Sequence, residues 1–278
     1  MIKRILSRAA FYVVLGIGLL YILFPFYWMI VNSLKPAAEL FSTPLSYWPR
    51  QITFDNYRAV LADSSFVRAI VNSVIVAGGA TLLSLGLSSM AAYALARYRF
   101  PGKQATLYAI LGMSTFPQIA VLGGLFMLAR ALGIYNTYWA LILSYMIFTL
   151  PFCVWVLTSF IKEIPDTLDE ASTIDGATPW QCLWRVIIPL AGPGLVATGL
   201  LSFINAWNEF LFALTLTADN SARTVPVAVA LFSGQSEHEL PWGKITAAST
   251  VVTVPVVMLA LIFQKRIVEG LTSGAVKG

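Results

Sequence analysis

The sequence predicts an all-α membrane protein, a bundle of six transmembrane helices with its N- and C-termini on the cytoplasmic side. Three observations predict this: composition, a set of long apolar stretches, and the placement of basic residues. Of the 278 residues, 58% are hydrophobic and 11% charged, whereas a soluble domain carries about 25% charged residues. A bilayer span needs roughly 20 apolar residues. Six stretches meet or approach that length: Ala9–Val31, Ile70–Tyr93, Thr106–Ala129, Tyr138–Phe160, Leu190–Ala213 and Thr246–Phe263. Each is read as helix, because lipid offers no partner to an unpaired backbone group. Pro25, Pro117, Pro151 and Pro255 fall inside these stretches, where helical bundles tolerate them.

The first stretch follows Lys3, Arg4 and Arg8, as a secretory leader would. Its apolar run is too long for a leader core and no small-x-small cleavage site closes it, so it is read as a retained span. With the N-terminus inside, the inner segments hold eleven Lys and Arg and the outer segments seven. Arg97, Arg99, Lys103, Lys265 and Arg266 crowd the inner helix ends, as the positive-inside rule requires. The net charge of +5 is therefore read as membrane topology. A nucleic-acid surface would need clustered basic residues among exposed aromatics, and the sequence has no such cluster. Cys153 lies in the fourth span and Cys182 in an inner loop, at different depths, which argues against a disulfide.

No internal repeat of fixed period is evident. Residues 1–278 read as one transmembrane domain: 1–65 the first span and an outer loop, 66–263 the core bundle including an inner loop at 162–188, and 264–278 a polar cytoplasmic tail. The first outer loop keeps Trp48, Phe54 and Tyr57 beside three prolines, and aromatics are what disordered segments lack. It is expected to be ordered.

The inner loop is the most informative segment. Pro165-Asp166-Thr167-Leu168-Asp169-Glu170-Ala171 opens like a helix, with proline in the first turn and acids at the positive end of the dipole. Gly176 is a natural stop. A second helix follows, with Thr178 as N-cap, Pro179 in the first position and Gln181 closing a capping box. Trp180, Leu183, Trp184 and Ile187 share one apolar face, and Pro189 is expected to end this helix. Two short helices joined by a glycine turn make either a rigid knob for a cytoplasmic partner or a helix lying on the membrane. The acids oppose adsorption to anionic inner-leaflet lipids.

Here the sequence resembles the permease subunits of binding-protein-dependent ATP-binding-cassette importers. Their inner-loop motif is Glu-Ala-Ala, three residues, Gly, nine residues, then Ile-x-Leu-Pro. Glu170, Ala171, Ser172, Gly176, Val186, Ile188 and Pro189 stand at those positions, with Ser172, Val186 and Ile188 as small departures. Ala206-Trp207-Asn208-Glu209-Phe210-Leu211 resembles the fifth-span signature of carbohydrate permeases, and residues 270–278 resemble the tail of maltose- and trehalose-type second permease subunits. The resemblance implies a type I importer permease fold that pairs with a second, related permease. It also implies two nucleotide-binding ATPase subunits, an extracytoplasmic sugar-binding protein, and a bacterial or archaeal plasma membrane. Asp169, Glu170, Ala171, Asp175, Gly176 and Pro189 would then couple the bundle to the ATPase.

In the fifth span Ser202, Asn205 and Glu209 fall on one stripe, with Trp207, Asn208 and aromatic rings nearby. A charge at mid-membrane costs about 2.5–3.5 kcal/mol on insertion scales and usually marks a pathway. Sugar binding wants polar groups beside flat rings, yet polar groups also glue helices together. Gln118 faces the pathway or repairs the backbone beside Pro117. The resemblance implies that the second outer loop, with Phe232, Glu237 and Trp242, enters the binding protein, the alternative being a plain cap. It likewise implies that Thr272, Gly274 and Lys277 in the tail reach the ATPase subunits, the alternative being a frayed end. Glu237-His238-Glu239 is a lone histidine between two acids, too little for a metal site.

No Gly-x-x-x-x-Gly-Lys-Ser/Thr loop occurs, so this chain is read as non-catalytic and without a cofactor of its own. ATP and Mg would be bound by the partner ATPase. The expected function is half of the import pathway for a maltose- or trehalose-like sugar. An ion-coupled secondary carrier is the alternative. A membrane-embedded enzyme lacks any convincing catalytic pair.

Overall fold

The computed structural model describes residues 2–232 and 241–273; the side chains of residues 2–6, 114 and 266–273 are not described. The chain is helical, with no strand among the described residues. Four helices are long and apolar enough to span a bilayer: α1 (Ile2–Ser33), α4 (Ser64–Arg97), α7 (Tyr138–Glu163) and α14 (Trp242–Ser273). Between α1 and α4 lie α2 (Ala37–Leu40) and α3 (Asp55–Ala62).

The third and fifth expected spans are each a pair of helices rather than one rod. α5 (Lys103–Ser114) and α6 (Gln118–Ala131) meet at 90°. Pro117 has no N–H to donate and pushes Phe116 out of the helical region, so here the proline ends a helix instead of being absorbed by one. In the fifth span α11 (Gly192–Trp207) stops at Asn208, and α12 (Leu211–Leu216) begins after a three-residue break. With Lys103–Met113 plus Gln118–Ala131, and Pro179–Leu190 plus Gly192–Trp207, each counted as one bent span, the described residues hold up to six.

Residue contacts group the chain into two units. The first comprises 1–67 and 228–254. In it the Lys35 ammonium is fully buried, donating to the Ser46 carbonyl at 2.6 Å and lying over the Trp28 ring at 4.6 Å. The Glu39 carboxylate accepts from the Arg50 N–H and the Ser46 hydroxyl, each at 2.8 Å. The order expected of this loop is thus built on two charged side chains satisfied by backbone.

The second unit comprises 68–227 and 255–278. α7 is its centre and packs on α5 and α11. Hydroxyls along α7 are satisfied on its own carbonyls: Ser144 on Ala140, Thr149 on Tyr145, Thr158 on Val154. Ser84 of α4 bridges to Thr149 at 2.7 Å. Lipid supplies no hydrophobic drive between helices, so small residues that let backbones approach carry the packing. Gly194 lies under the Phe160 ring and Gly199 under Leu85.

Segment 217–225 is tied down at many points. Asn72 Nδ2 of α4 donates to the carbonyls of Asn220 (3.2 Å) and Arg223 (2.8 Å), while Tyr138 Oη donates to Asn72 Oδ1. The Val225 N–H donates to Ser73 Oγ at 2.8 Å. Asn136, at φ 60°, accepts from the Ala218 N–H. Residues 264–273, expected as part of a polar cytoplasmic tail, continue α14 as helix. Trp242, expected in a loop, opens that helix.

A Cβ at Gly194 would sit 2.5 Å from Phe160 Cγ, whereas one at Gly192 meets nothing within 4 Å. Gly194→Ala is expected to destabilise by about 1–3 kcal/mol, read as a lower melting temperature in detergent, with Gly192→Ala as the near-neutral control. The Asp219 carboxyl is pulled down to about 2 by the Ser221 hydroxyl and amide and by the Asn136 carboxamide. A free aspartate titrates near ~3.9. The stabilisation of segment 217–225 is therefore complete above about pH 4 and lost as pH falls toward about 2. Hydrogen exchange at Ser221, corrected for intrinsic rates, should show constant protection at neutral and mildly acid pH and a loss only in that acid window.

Candidate functional site: an anchored knob and a broken-helix cavity

Two places gather the predicted residues, both within the second unit. The first is the 162–191 segment. α8 (Thr167–Ile174) ends where Gly176 takes φ 81°, a conformation that favours glycine. α9 (Pro179–Cys182) starts with the full capping box between Thr178 and Gln181. A π turn over Leu183–Ile187 follows, then α10 (Ile188–Leu190). Pro189 does not end the helix as expected. Its missing N–H leaves one rung of an α ladder unmade, and the widened turn just before it accommodates that loss. The break comes at Ala191, with an 80° bend into α11.

The expected single apolar face of Trp180, Leu183, Trp184 and Ile187 is divided. Leu183 and Ile187 are buried with Tyr93, Leu157 and Ile161, whereas Trp180 is 57% exposed. On α8 the outward side carries Glu170, Ala171 and Ile174, the last 86% exposed, with Asp175 and Gly176 beside them. Pro189 is exposed as well.

Asp169 behaves differently from its neighbour. Its carboxylate makes an ion pair with Arg97 Nε at 2.8 Å and accepts from Tyr93 Oη at 2.8 Å, with Cys182 Sγ 3.6 Å away. Arg97 also donates to Asp166 Oδ1 at 2.6 Å and to the Ile164 carbonyl at 2.9 Å. Its side chain is 9% exposed. Both residues of α4 were missed in the sequence, where Arg97 counted only as a topological charge. The signal available was a basic residue in the last helical turn, which is common and names no partner. Asp169 thus fastens the knob to the bundle, and Glu170 is left free on its outer side.

The second place is a cavity of about 520 Å³ lined by Gln118, Phe148, Phe152, Asn205, Asn208, Glu209, Phe210 and Leu211, within the roughly 300–1,000 Å³ of small-molecule sites. Both helix breaks open into it. Glu209 is buried, and its two oxygens accept from the Phe212 N–H (2.8 Å) and the Ala213 N–H (3.1 Å). It caps α12, satisfying amides that lipid would leave unpaired. Asn208 Nδ2 donates to the Ile204 carbonyl at 2.8 Å, closing α11. Asn205 and Gln118 are exposed to the cavity. Ser202 and Trp207 do not line it: Ser202 is buried beside Cys153, and Trp207 is buried against Phe203. The aromatic walls from α7, Phe148 and Phe152, were not singled out in the sequence.

Phe232 is half-buried and its ring lies 5.8 Å from Phe66, and Trp242 is half exposed. Glu237, Gly274 and Lys277 fall outside the described residues, and Thr272 lies in α14 with its side chain not described. Cys153 and Cys182 are buried free thiols.

Comparison with known proteins gives a consistent result. Residues 84–273 match the family described as "Binding-protein-dependent transport system inner membrane component". The chain is 45% identical over 272 residues to the trehalose transport system permease protein SugB of Mycobacterium tuberculosis, covering 98% of each chain. It is 46% identical over 258 residues to the trehalose/maltose transport system permease protein MalG of Thermococcus litoralis, covering 92% of each. Its fold matches a subunit in the crystal structure of a bacterial ABC transporter that imports the acidic polysaccharide alginate, with TM-score 0.81 at 24% identity over 94% of this chain and 96% of that one.

Arg97→Ala would leave Asp169 without its counter-charge. Hydrogen bonds to charged groups are worth about 1.5–3 kcal/mol, so local opening of the 162–191 segment should rise by roughly 10- to 100-fold. Limited trypsin digestion at the exposed Arg185 should accelerate accordingly, with membrane insertion unchanged.

Proposed function

Since the chain belongs to the family of binding-protein-dependent transport system inner membrane components, we propose that it forms half of the translocation pathway of an ATP-driven importer for a disaccharide or oligosaccharide of the trehalose or maltose kind. The names of its relatives support the substrate class. The chain is a multi-pass membrane protein, and the membrane is the bacterial or archaeal plasma membrane. The ion-coupled carrier weighed from sequence is set aside, because the structural neighbours are ABC transporter permeases.

The termini and the 162–191 knob face the cytoplasm; segment 217–245 faces outward. The observation that carries the reading is the knob itself. Glu170, Ile174 and Trp180 are exposed on a segment whose inner side is pinned by Arg97. A structure this rigid, held by a semi-buried ion pair and ending in uncovered apolar side chains, suits a socket on another protein. Its partners are two ATPase subunits, which bind ATP and Mg, a second permease and an extracytoplasmic sugar-binding protein. This chain supplies no cofactor and no chemistry.

The geometry supports the following steps. The sugar enters the cavity, where the Asn205, Asn208 and Gln118 carboxamides meet hydroxyls and Phe148 and Phe152 offer flat apolar faces. ATP-driven closure of the partner subunits moves the knob as a rigid body, and the bundle follows through Arg97. Of the two adjacent acids, Glu170 meets the ATPase and Asp169 positions it.

Glu170→Lys tests the reading. Membrane insertion should be retained, because the residue is exposed and its carboxylate makes no hydrogen bond or ion pair among the described residues. Co-purification of the ATPase and sugar uptake should fall together by at least about 100-fold, as removal of one partner from a buried ion pair costs about 3–5 kcal/mol. Uptake at the wild-type rate would overturn the assignment.

A further inference from the structure

Resting on that reading, we propose that α4 is the rod that transmits binding-protein engagement on the outer side to the ATPase knob on the inner side. Arg97 at one end and Asn72 and Ser73 at the other are its positioning residues. Of the four long helices among the described residues, α4 alone contains no proline; α1, α7 and α14 carry Pro25, Pro151 and Pro255. The other two spans are broken. α4 is therefore the helix of its unit best able to move as one body.

Both of its ends grip chain outside the long helices through polar groups that are buried on the α4 side. At the inner end Arg97 holds Asp166, Asp169 and the Ile164 carbonyl, and Tyr93 holds Asp169 from the preceding turn. At the outer end the fully buried Asn72 holds the carbonyls of Asn220 and Arg223, and Ser73 takes the Val225 N–H. This segment runs on in the chain toward Phe232, where the binding protein is proposed to dock. The 25 helical steps from Asn72 to Arg97 span about 37 Å. Gly78-Gly79 is the softest point along that length. It is braced: Gly79 packs against Ile142 of α7, and Ser84 is bonded to Thr149. The two grips are made to backbone carbonyls and a backbone N–H as well as to side chains, so displacing either segment must move the helix or break several hydrogen bonds at once.

The 162–191 knob is covalently continuous with α7 and α11, which makes those helices the obvious carriers of force. α7 reaches the knob through Pro165, and α11 joins it through the bend at Ala191. Each connection turns a corner in the chain. The grip on α4 crosses no corner, and it is charged and largely buried.

The experiment uses the full transporter in proteoliposomes, with the sugar-binding protein loaded with trehalose. The reading is the ratio of binding-protein-stimulated to basal ATPase rate. Asn72→Leu should assemble the complex and keep the basal rate but lower the stimulation. A coupling free energy in the usual range corresponds to a loss of about 5- to 150-fold. Ser73→Ala, which removes one acceptor only, should lower it less. It decides the matter if Asn72→Leu fails to assemble. The double variant Asn72→Leu/Arg97→Met should lose no more stimulation than the worse single variant, because both interrupt one path. Independent local damage at sites so far apart would multiply. Full stimulation in both outer-end variants, or multiplied losses in the double, would overturn the proposal. If the wild-type complex shows no stimulation by the binding protein, the functional reading itself falls, which distinguishes the two failures.

Discussion

The arrangement depends on one guanidinium. Arg97 leaves the end of α4 and is held by two acids and a carbonyl of a segment that begins nearly seventy residues later. Without it, the 162–191 segment would be a loop between two helices, tethered by its covalent ends and by the apolar contacts of Leu183 and Ile187. With it, the segment becomes a solid outgrowth of the bundle. The energy is modest for any one bond. What matters is that the planar fork of arginine meets several acceptors at once, which fixes orientation as well as distance.

A second constraint is the accounting of backbone groups in an apolar solvent. The broken fifth span exposes amides and carbonyls that lipid cannot satisfy, and it is repaired by side chains from the break itself. Glu209 closes the start of α12 and Asn208 the end of α11. The π turn before Pro189 shows the same economy in another form, for the helix widens and continues where a sharp stop was expected. These repairs put polar groups at mid-span, and the cavity forms around them.

Much of this was legible in the chain and some was not, for identifiable reasons. Local rules located the capping box, the left-handed glycine at 176 and the long apolar helices, since each is decided by residues within a few positions of one another. Pro117 was read as tolerated because many transmembrane prolines are; whether a helix kinks or breaks depends on what its neighbours offer the freed carbonyl. The difference between Asp169 and Glu170 was beyond pattern reading. They are adjacent acids on one short helix, and only the distant Arg97 and Tyr93 decide which faces the bundle. Ser202 and Asn205 share a stripe by periodicity, yet the cavity takes only the latter, because the break after Trp207 shifts the opening toward the end of α11.

The capping role of Glu209 bears on what kinds of solute can pass. Both oxygens of the only acid in the described cavity wall are already taken by amides of its own chain. The remaining polar groups in that wall are neutral carboxamides. Such a lining suits a solute recognised by the directions of its hydroxyl groups and by ring shape, and the acid within it is committed to holding the start of α12. The polarity of the wall is then a by-product of how the helix was mended.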